Sequence, residues 1–316
     1  MSSARPRVWI TDHVHPVLIR GLCDLGYDVE NAPSATQAEV EAGLHAFQGI
    51  VINSKTRMHG DLVRAHPGLR FIARLGSGLD IIDLDAAADM GVACLSAPEG
   101  NRNAVAEHAL GMLLSLLNRL PAGDAMVRSM TPWDREACRG LELDGHTVGL
   151  LGYGNTGRRF AGKLRGFDVR VLACDPYIDG IDEDHVDHVD EATLLAECDV
   201  LSLHVQLTEE TRHWLDAARI DRLGRRPILI NTSRGAVVET RAMVDALEDG
   251  RLAGACLDVH EVERPEAYDD GERGMYERLF ACGRVLLTPH VAGWTTESRE
   301  RIARVLLRKI EAVGTR

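Results

Sequence analysis

Basic residues are the first shortage. The 316-residue chain carries 36 Lys and Arg against 48 Asp and Glu, a formal net charge of −12. A protein that neutralises a phosphate backbone needs a basic face, so direct nucleic-acid binding is not expected. Paired cysteines are missing as well. The seven cysteines are an odd number, no CxxC occurs, and residues such as Cys94 and Cys174 sit singly in apolar stretches. Such spacing fits reduced, buried thiols better than a disulfide framework. Long apolar runs are absent too. The best candidate, AVAEHALGMLLSLLNRL, is interrupted by Glu107, His108, Asn118 and Arg119, whereas a bilayer span needs about 20 apolar residues. The start, MSSARPRVWITDH, offers only Val8, Trp9 and Ile10 before polar residues return, too few for a secretory leader. A cytoplasmic protein without membrane partners is therefore expected. Repeats and low-complexity segments are lacking. The one biased stretch, DGIDEDHVDHVDE (179–191), sets His185 and His188 among acids. It reads as a solvated acidic surface, since a metal site also needs a fixed outer shell; no metal is expected.

What is present is alternation. RVWIT (7–11), GIVIN (49–53), LRFIARLG (69–76) and GVACLS (91–96) read as short buried strands. Between them lie helical patterns such as PVLIRGLCDLG and IDLDAAADMG, each closing on glycine as a helix end does. Residues 103–120 form one long helix, apolar nearly all round, that Pro121 and Gly123 are expected to end; 124–144 reads as polar and irregular. A second alternation follows in TVGLLG (147–152), VRVLACD (169–175), DVLSLH (199–204), PILINTS (227–233), GACLDV (254–259) and VLLTPH (285–290). Continuous apolar strands separated by helices predict parallel sheets covered on both faces, and six strands complete a dinucleotide-type sheet. The last helix, ESRERIARVLLRKIEAV, is expected to pack on the first domain.

GLLGYGNTG sets Gly152, Gly154 and Gly157 in G-x-G-x-x-G, after a strand and opening a helix. The first glycine permits the tight turn, the second a close approach to a pyrophosphate, the third close helix–strand packing. Free N–H groups at the helix start then face the phosphates. The next strand ends on Asp175, eighteen residues beyond Gly157. A carboxylate there accepts the adenosine ribose hydroxyls and repels a 2′-phosphate, which predicts NAD over NADP.

Three further strand ends carry chemistry. PILINTS runs into Arg234, whose guanidinium fork suits a substrate carboxylate. GACLDV runs into HEVERP, which offers Glu261 and Glu263. VLLTPH ends on His290. A lone histidine at a strand end is ordinarily core filler. Here the carboxyl ends of all strands line one crevice, so arginine, glutamate and histidine converge and His290 reads as an acid/base.

ARLGSGLDIID, NAVAEHALGMLL, GLLGYGNTG with Asp175, INTSRGAVV, GACLDV with its following acids, and LTPHVAG, in this order over nearly the whole chain, resemble the D-isomer-specific 2-hydroxyacid dehydrogenase family. The resemblance implies an α/β protein of two doubly wound parallel-sheet domains, a Rossmann NAD-binding domain inserted into a flavodoxin-like substrate domain. Residues 1–100 plus 288–316 would form the substrate domain and 101–287 the NAD-binding domain, with 101–144 as a dimerisation arm of a homodimer. The family's acid partner lies five residues past the LDV aspartate, which selects Glu263 over Glu261. Arg234 and His290 take the other catalytic places. The cofactor contacts implied are Gly152, Gly154, Asn155, Thr156, Gly157, Asp175, His204, Thr208, Thr232, Ser233, Arg234, Asp258, His290 and Gly293. The backbone of Leu75, Gly76, Ser77 and Gly78 would clamp the substrate carboxylate, with Arg234 and His290 on the reacting end.

Two positions depart from the family pattern. Gln206 stands for a proline in His-x-Pro-x-Thr, and His260 stands where an aromatic usually follows the LDV segment. Lys55 and Arg57 after GIVIN, and Arg102, are cations that would hold a phosphorylated substrate. The expected reaction is hydride transfer between NAD(H) and a 2-hydroxy/2-oxo acid pair, 3-phosphoglycerate first and glycerate/hydroxypyruvate next. Phosphite- or formate-type dehydrogenases of the same fold, and an NAD-sensing corepressor-like module, are the alternatives. Glu263 speaks against the formate type, which resembles a glutamine there, and the short tails against the module.

Overall fold

A computed structural model describes residues 5–314. The start of the segment read for a leader, residues 1–4, lies outside the described residues. The chain divides into two compact units, Met1–Arg102 with Gly293–Arg316, and Asn103–Ala292.

The first unit is built on five strands: β1 (Arg7–Ile10), β2 (Asp28–Asn31), β3 (Gly49–Ile52), β4 (Phe71–Arg74) and β5 (Ala93–Leu95). All pairings are parallel and the order is β2-β1-β3-β4-β5. The central strand β3 is buried throughout, as its GIVI sequence requires. β2 has no counterpart among the expected strands. Its DVEN sequence lies at the sheet edge, where one side of the backbone stays wet and polar residues suffice. The terminal helix Thr296–Gly314 buries Ile302, Val305, Leu306 and Ile310 against Leu18 and Leu22 of the helix Pro16–Asp24. The approach is close: a Cβ on Gly21 would lie 2.5 Å from the Leu307 side chain.

The second unit holds β6 (Thr147–Leu151), β7 (Arg170–Cys174), β8 (Asp187–His188), β9 (Val200–Leu203), β10 (Ile228–Asn231), β11 (Gly254–Leu257) and β12 (Val285–Leu287). They are all parallel, in the order β12-β11-β10-β9-β6-β7-β8. The order reverses between β6 and β9, where dinucleotides bind in such sheets. The sheet has seven strands rather than six, because the acidic stretch 179–191 contributes the two-residue edge strand β8.

Two expectations change. The long helix runs Pro98–Leu117 and breaks at Arg119, which adopts a left-handed conformation (φ 51°). Pro121 then lies in the first turn of a further helix, Leu120–Arg128, where its missing N–H leaves no bond unmade. So residues 124–128 are helical, and Pro121 starts a helix instead of ending one. The passages between units fall after Arg102 and after Ala292, not after 100 and 287. The second shift has a clear cause. Residues 288–292 are tied by hydrogen bonds to Asp258 and stay with the larger sheet.

Candidate active site

The glycine loop follows β6. Gly152 has φ +87°, and a Cβ there would meet the His204 carbonyl at 2.9 Å. A Cβ on Gly157 would lie 2.3 Å from the Gly152 carbonyl oxygen, so only glycine lets this helix meet its own loop. Gly154 caps the helix Asn155–Leu164, and a Cβ there would meet no protein atom within 4 Å. The helix opens without a side-chain cap, and the N–H groups of a helix's first turn face an anion placed at its start. Asp175 accepts the Tyr153 N–H at 2.8 Å on one carboxylate oxygen and the Tyr177 N–H at 3.0 Å on the other. Each oxygen keeps a lone pair for a ribose hydroxyl. Asp175 therefore also anchors the glycine loop, a task that its spacing in sequence did not reveal.

At the end of β9, Ser202 Oγ lies 3.0 Å from His204 Nε2. His204 Nδ1 is buried without a hydrogen-bond partner among the described residues, and burial pushes the ring pKa down to about 4. Thr232 Oγ1, at the end of β10, is buried and unpartnered in the same way. Orphaned polar atoms at strand ends beside an open glycine loop fit a polar dinucleotide. Beyond His204, the Thr211 hydroxyl donates to the Gln206 carbonyl at 2.6 Å, and the Thr208 N–H donates to Thr211 Oγ1 at 2.8 Å. Threonine hydroxyls thus hold the loop in which Gln206 replaces a proline.

Arg234 leaves β10 in an extended conformation (φ −141°, ψ 139°), its Nη1 2.8 Å from the Ser233 carbonyl. Asn231 shapes the turn: its Oδ1 accepts the Ser233 N–H and hydroxyl at 3.1 and 2.9 Å, and its Nδ2 donates to the Arg234 carbonyl at 3.0 Å. An Asn closing a strand is a turn signal that could have been read from the sequence. Gly235 follows because a Cβ there would overlap the His260 backbone at 2.0 Å.

His290 Nδ1 lies 2.9 Å from Glu263 Oε2. Burial alone would push the Glu263 carboxyl up; the His290 hydrogen bond and charge, with a backbone hydrogen bond at His260, outweigh it and hold the group below the usual carboxylate range. His260 itself is held below its ordinary value by burial, despite the charge of Glu263. Its ring stands edge-on to Tyr276 at 6.3 Å. Glu261 faces elsewhere. Its Oε1 pairs with His213 Nε2 at 2.6 Å, and its Oε2 accepts the Thr240 hydroxyl at 2.7 Å.

His290 has φ +55°, a conformation that persists in a non-glycine residue only when the surroundings impose it. Asp258, 1% exposed, imposes it. Its carbonyl accepts the His290 N–H at 2.7 Å. Its carboxylate accepts the Thr288 hydroxyl at 2.6 Å and the Val291 and Ala292 N–H groups at 2.8 Å each. The sequence reading put Asp258 beside the cofactor; the turn it organises was not foreseen.

Other expected residues belong to the smaller unit. The Leu75 N–H donates to the Ile52 carbonyl and the Gly76 N–H to the Arg74 carbonyl, both at 2.9 Å. Two of the four expected clamp N–H groups are thereby engaged within the unit. Ser77 Oγ donates to Asn101 Oδ1 at 2.9 Å, and Gly293 packs on Asn101, which a Cβ would approach to 3.0 Å. The Lys55 ammonium donates to the Pro33 carbonyl, Arg57 binds Gln37 through its backbone, and Arg102 is exposed.

The family model of the D-isomer specific 2-hydroxyacid dehydrogenase NAD binding domain matches residues 110–292. The chain is 37% identical over 286 residues to (S)-sulfolactate dehydrogenase of Chromohalobacter salexigens, covering 87% of this chain and 86% of that one. It is 34% identical over 261 residues to hydroxypyruvate reductase of Thermotoga maritima, covering 83% of each. It is 31% identical over 287 residues to D-3-phosphoglycerate dehydrogenase of Archaeoglobus fulgidus, covering 90% of this chain but 53% of that one, so it spans about half the length of such relatives. Its fold matches the crystal structure of D-lactate dehydrogenase from Aquifex aeolicus complexed with NAD and lactic acid, with a TM-score of 0.83 at 28% identity over 98% of this chain and 95% of that one. With the glycine loop, Asp175 and the strand-end residues as described, the chain belongs to the D-isomer specific 2-hydroxyacid dehydrogenase family and carries its NAD-binding domain.

Proposed function

We propose that the protein transfers a hydride between NAD(H) and a 2-hydroxy/2-oxo acid pair. The observation that carries this reading is the 2.9 Å His290–Glu263 pair, at the carboxyl ends of the sheet that also bears the glycine loop and Arg234. Bound NADH supplies the hydride. Gly152, Gly154, Asn155, Thr156, Gly157 and Asp175 would hold its adenosine diphosphate portion. His204, Thr208, Thr232, Ser233, Asp258 and Gly293 would line the rest. As the carbonyl oxygen of the oxo acid gains charge, His290 donates a proton to it and Glu263 stabilises the imidazolium. Arg234 binds the carboxylate and polarises the carbonyl. Ser77 and Gly78 are the clamp N–H groups we favour, because those of Leu75 and Gly76 are engaged.

For the substrate we propose an acid with an anionic or polar far end, 3-phosphoglycerate first and glycerate/hydroxypyruvate next. The relatives' names, phosphoglycerate, sulfolactate and hydroxypyruvate enzymes, support that class. Lys55 would meet the far anion. A homodimer through the arm 101–144 is part of this reading; on it Met130 is 92% and Trp133 63% exposed, and Leu120, Val127 and Leu141 are exposed too. Exposed large apolar side chains gathered on one arm support that reading. A cytoplasmic location is kept as part of the reading; among the described residues, no helix is long and apolar enough to cross a membrane. The test is NADH oxidation against hydroxypyruvate, 3-phosphohydroxypyruvate, sulfopyruvate and pyruvate. Turnover of at least one supports the reading. Tight NADH binding with no turnover of any would favour the NAD-sensing binding module instead.

A further inference from the structure

The turn that presents His290 has a second anchor that the proton-transfer chemistry does not use. The helix Pro98–Leu117 brings His108 Nε2 to 3.0 Å from Thr288 Oγ1 and 3.6 Å from Asp258 Oδ1. Thr288 Oγ1 lies 2.6 Å from the same Asp258 oxygen. The hydrogens can be assigned by counting. A hydroxyl has one proton, and the Asp258 carboxylate, which already accepts two backbone N–H groups, takes it. Thr288 can then only accept from His108, so Nε2 of His108 carries the hydrogen. The chain of contacts runs without a gap: His108 to Thr288, Thr288 to Asp258, and Asp258 to the backbone of His290, Val291 and Ala292. Two neighbours on the same helix do other work. Asn103 and Glu107 face Arg159 and Lys163 of the helix Asn155–Leu164.

We propose that His108 is a positioning residue for His290. It touches neither substrate nor cofactor in this role. By donating to Thr288 it fixes the hydroxyl on Asp258, and so holds the left-handed turn that keeps the His290 ring against Glu263. The proposal rests on the reading of His290 as the proton donor. A histidine that merely fills space would be replaced well by Leu; a histidine that donates through Nε2 is replaced better by Gln, whose amide nitrogen reaches a similar position.

The test compares His108→Leu, His108→Gln, Thr288→Val and the His108→Leu/Thr288→Val double variant in the full chain. The readouts are kcat and the KM for NADH with the best oxo acid, and amide hydrogen exchange over the β12 turn. At metal sites, losing a hydrogen bond that orients a ligating side chain typically lowers activity about 10–100-fold, and the lower end of that range is taken for this turn. His108→Leu is expected to lower kcat by at least about tenfold, with the KM for NADH nearly unchanged, and to speed exchange at Val291 and Ala292. His108→Gln should recover most of both. Thr288→Val should match His108→Leu, and the double variant should lose little more, because both break one chain. Equal losses in the Leu and Gln variants, additive losses in the double variant, or an unchanged turn in His108→Leu would overturn the proposal. If the unaltered protein reduces no oxo acid, the catalytic reading fails, while the exchange data still decide whether His108 holds the turn.

Discussion

Removing the charge on Glu263 while keeping its shape tests the acid/base pair most directly. In Glu263→Gln the His290 ring retains a hydrogen-bond acceptor at about the same place but loses the carboxylate 2.9 Å away. The His290 hydrogen bond and charge help hold Glu263 below the usual carboxylate range, and a carboxylate beside an imidazole favours its charged form. Two unit charges about 4 Å apart interact by about 1 kcal/mol in water and about 4 kcal/mol at an effective dielectric constant near 20. Both side chains are 42% exposed, so the lower part of that range applies. At about 1.4 kcal/mol per factor of ten, removing the charge should lower kcat/KM for reduction about tenfold on the alkaline side. Reduction of the oxo acid needs a protonated ring, so the alkaline limb of kcat/KM should move to lower pH in Glu263→Gln. Oxidation of the hydroxy acid needs a neutral ring, so its acid limb should move the same way. His290→Ala should remove the limb and lower the rate by about 10²–10⁴-fold. The assay is steady-state NADH turnover across pH in both directions, with a thermal melt of each variant. An unmoved limb in Glu263→Gln, or a folded His290→Ala protein with near-normal turnover, would refute the reasoning.

Asp175→Ala should narrow the preference for NAD over NADP and also raise the KM for NAD, because the Tyr153 and Tyr177 N–H groups lose their acceptor. Equal kcat/KM with both cofactors in the unaltered protein would contradict the assignment. Lys55→Ala should raise the KM for the best phosphorylated oxo acid about tenfold, equivalent to about 1.4 kcal/mol, if the ammonium leaves the Pro33 carbonyl for the substrate. An unchanged KM removes Lys55 from the site. At Asp199, burial would push the carboxyl up, but Arg225 and the Thr147 N–H, each at 2.8 Å, bring it below its ordinary value. A depressed folded-state pKa stabilises above the unfolded value and loses that contribution as pH falls. Asp199→Asn should therefore lower Tm near neutral pH by about 2–4 °C for each kcal/mol lost, and the two melts should converge in acid. A Tm difference that persists at low pH would show that the ionised carboxylate is not its source.

Strands buried on both faces must be apolar along their whole length, so β3, β6, β9, β10 and β11 were visible as short apolar runs. The glycine loop was equally legible, because a +87° φ at Gly152 and the contact of Gly157 with the Gly152 carbonyl tolerate no side chain. Those constraints are local, or set by burial, and a single sequence records them. Edge strands carry no such mark. DVEN and Asp187–His188 became β2 and β8 because a neighbouring strand offered a hydrogen-bonding edge, which composition does not reveal. Pro121 was compatible with ending one helix or starting another, and the left-handed Arg119 decided between them.

The strand ends that bear Arg234, the acids and His290 followed from the sequence, since parallel strands put their carboxyl ends on one side. Which glutamate meets the histidine did not follow from periodicity. Glu261 and Glu263 lie two residues apart, and their partners, His213 and His290, come from distant segments. Nor could the sequence join Asp258 to the 288–292 turn, or His108 to Thr288 across 180 positions. Hydrogen bonds between side chains so far apart in the chain depend on where each backbone segment is carried. That is fixed only when the sheet and the helix beside it have packed, so the sequence determined the chemical groups, while the tertiary structure decided how they pair.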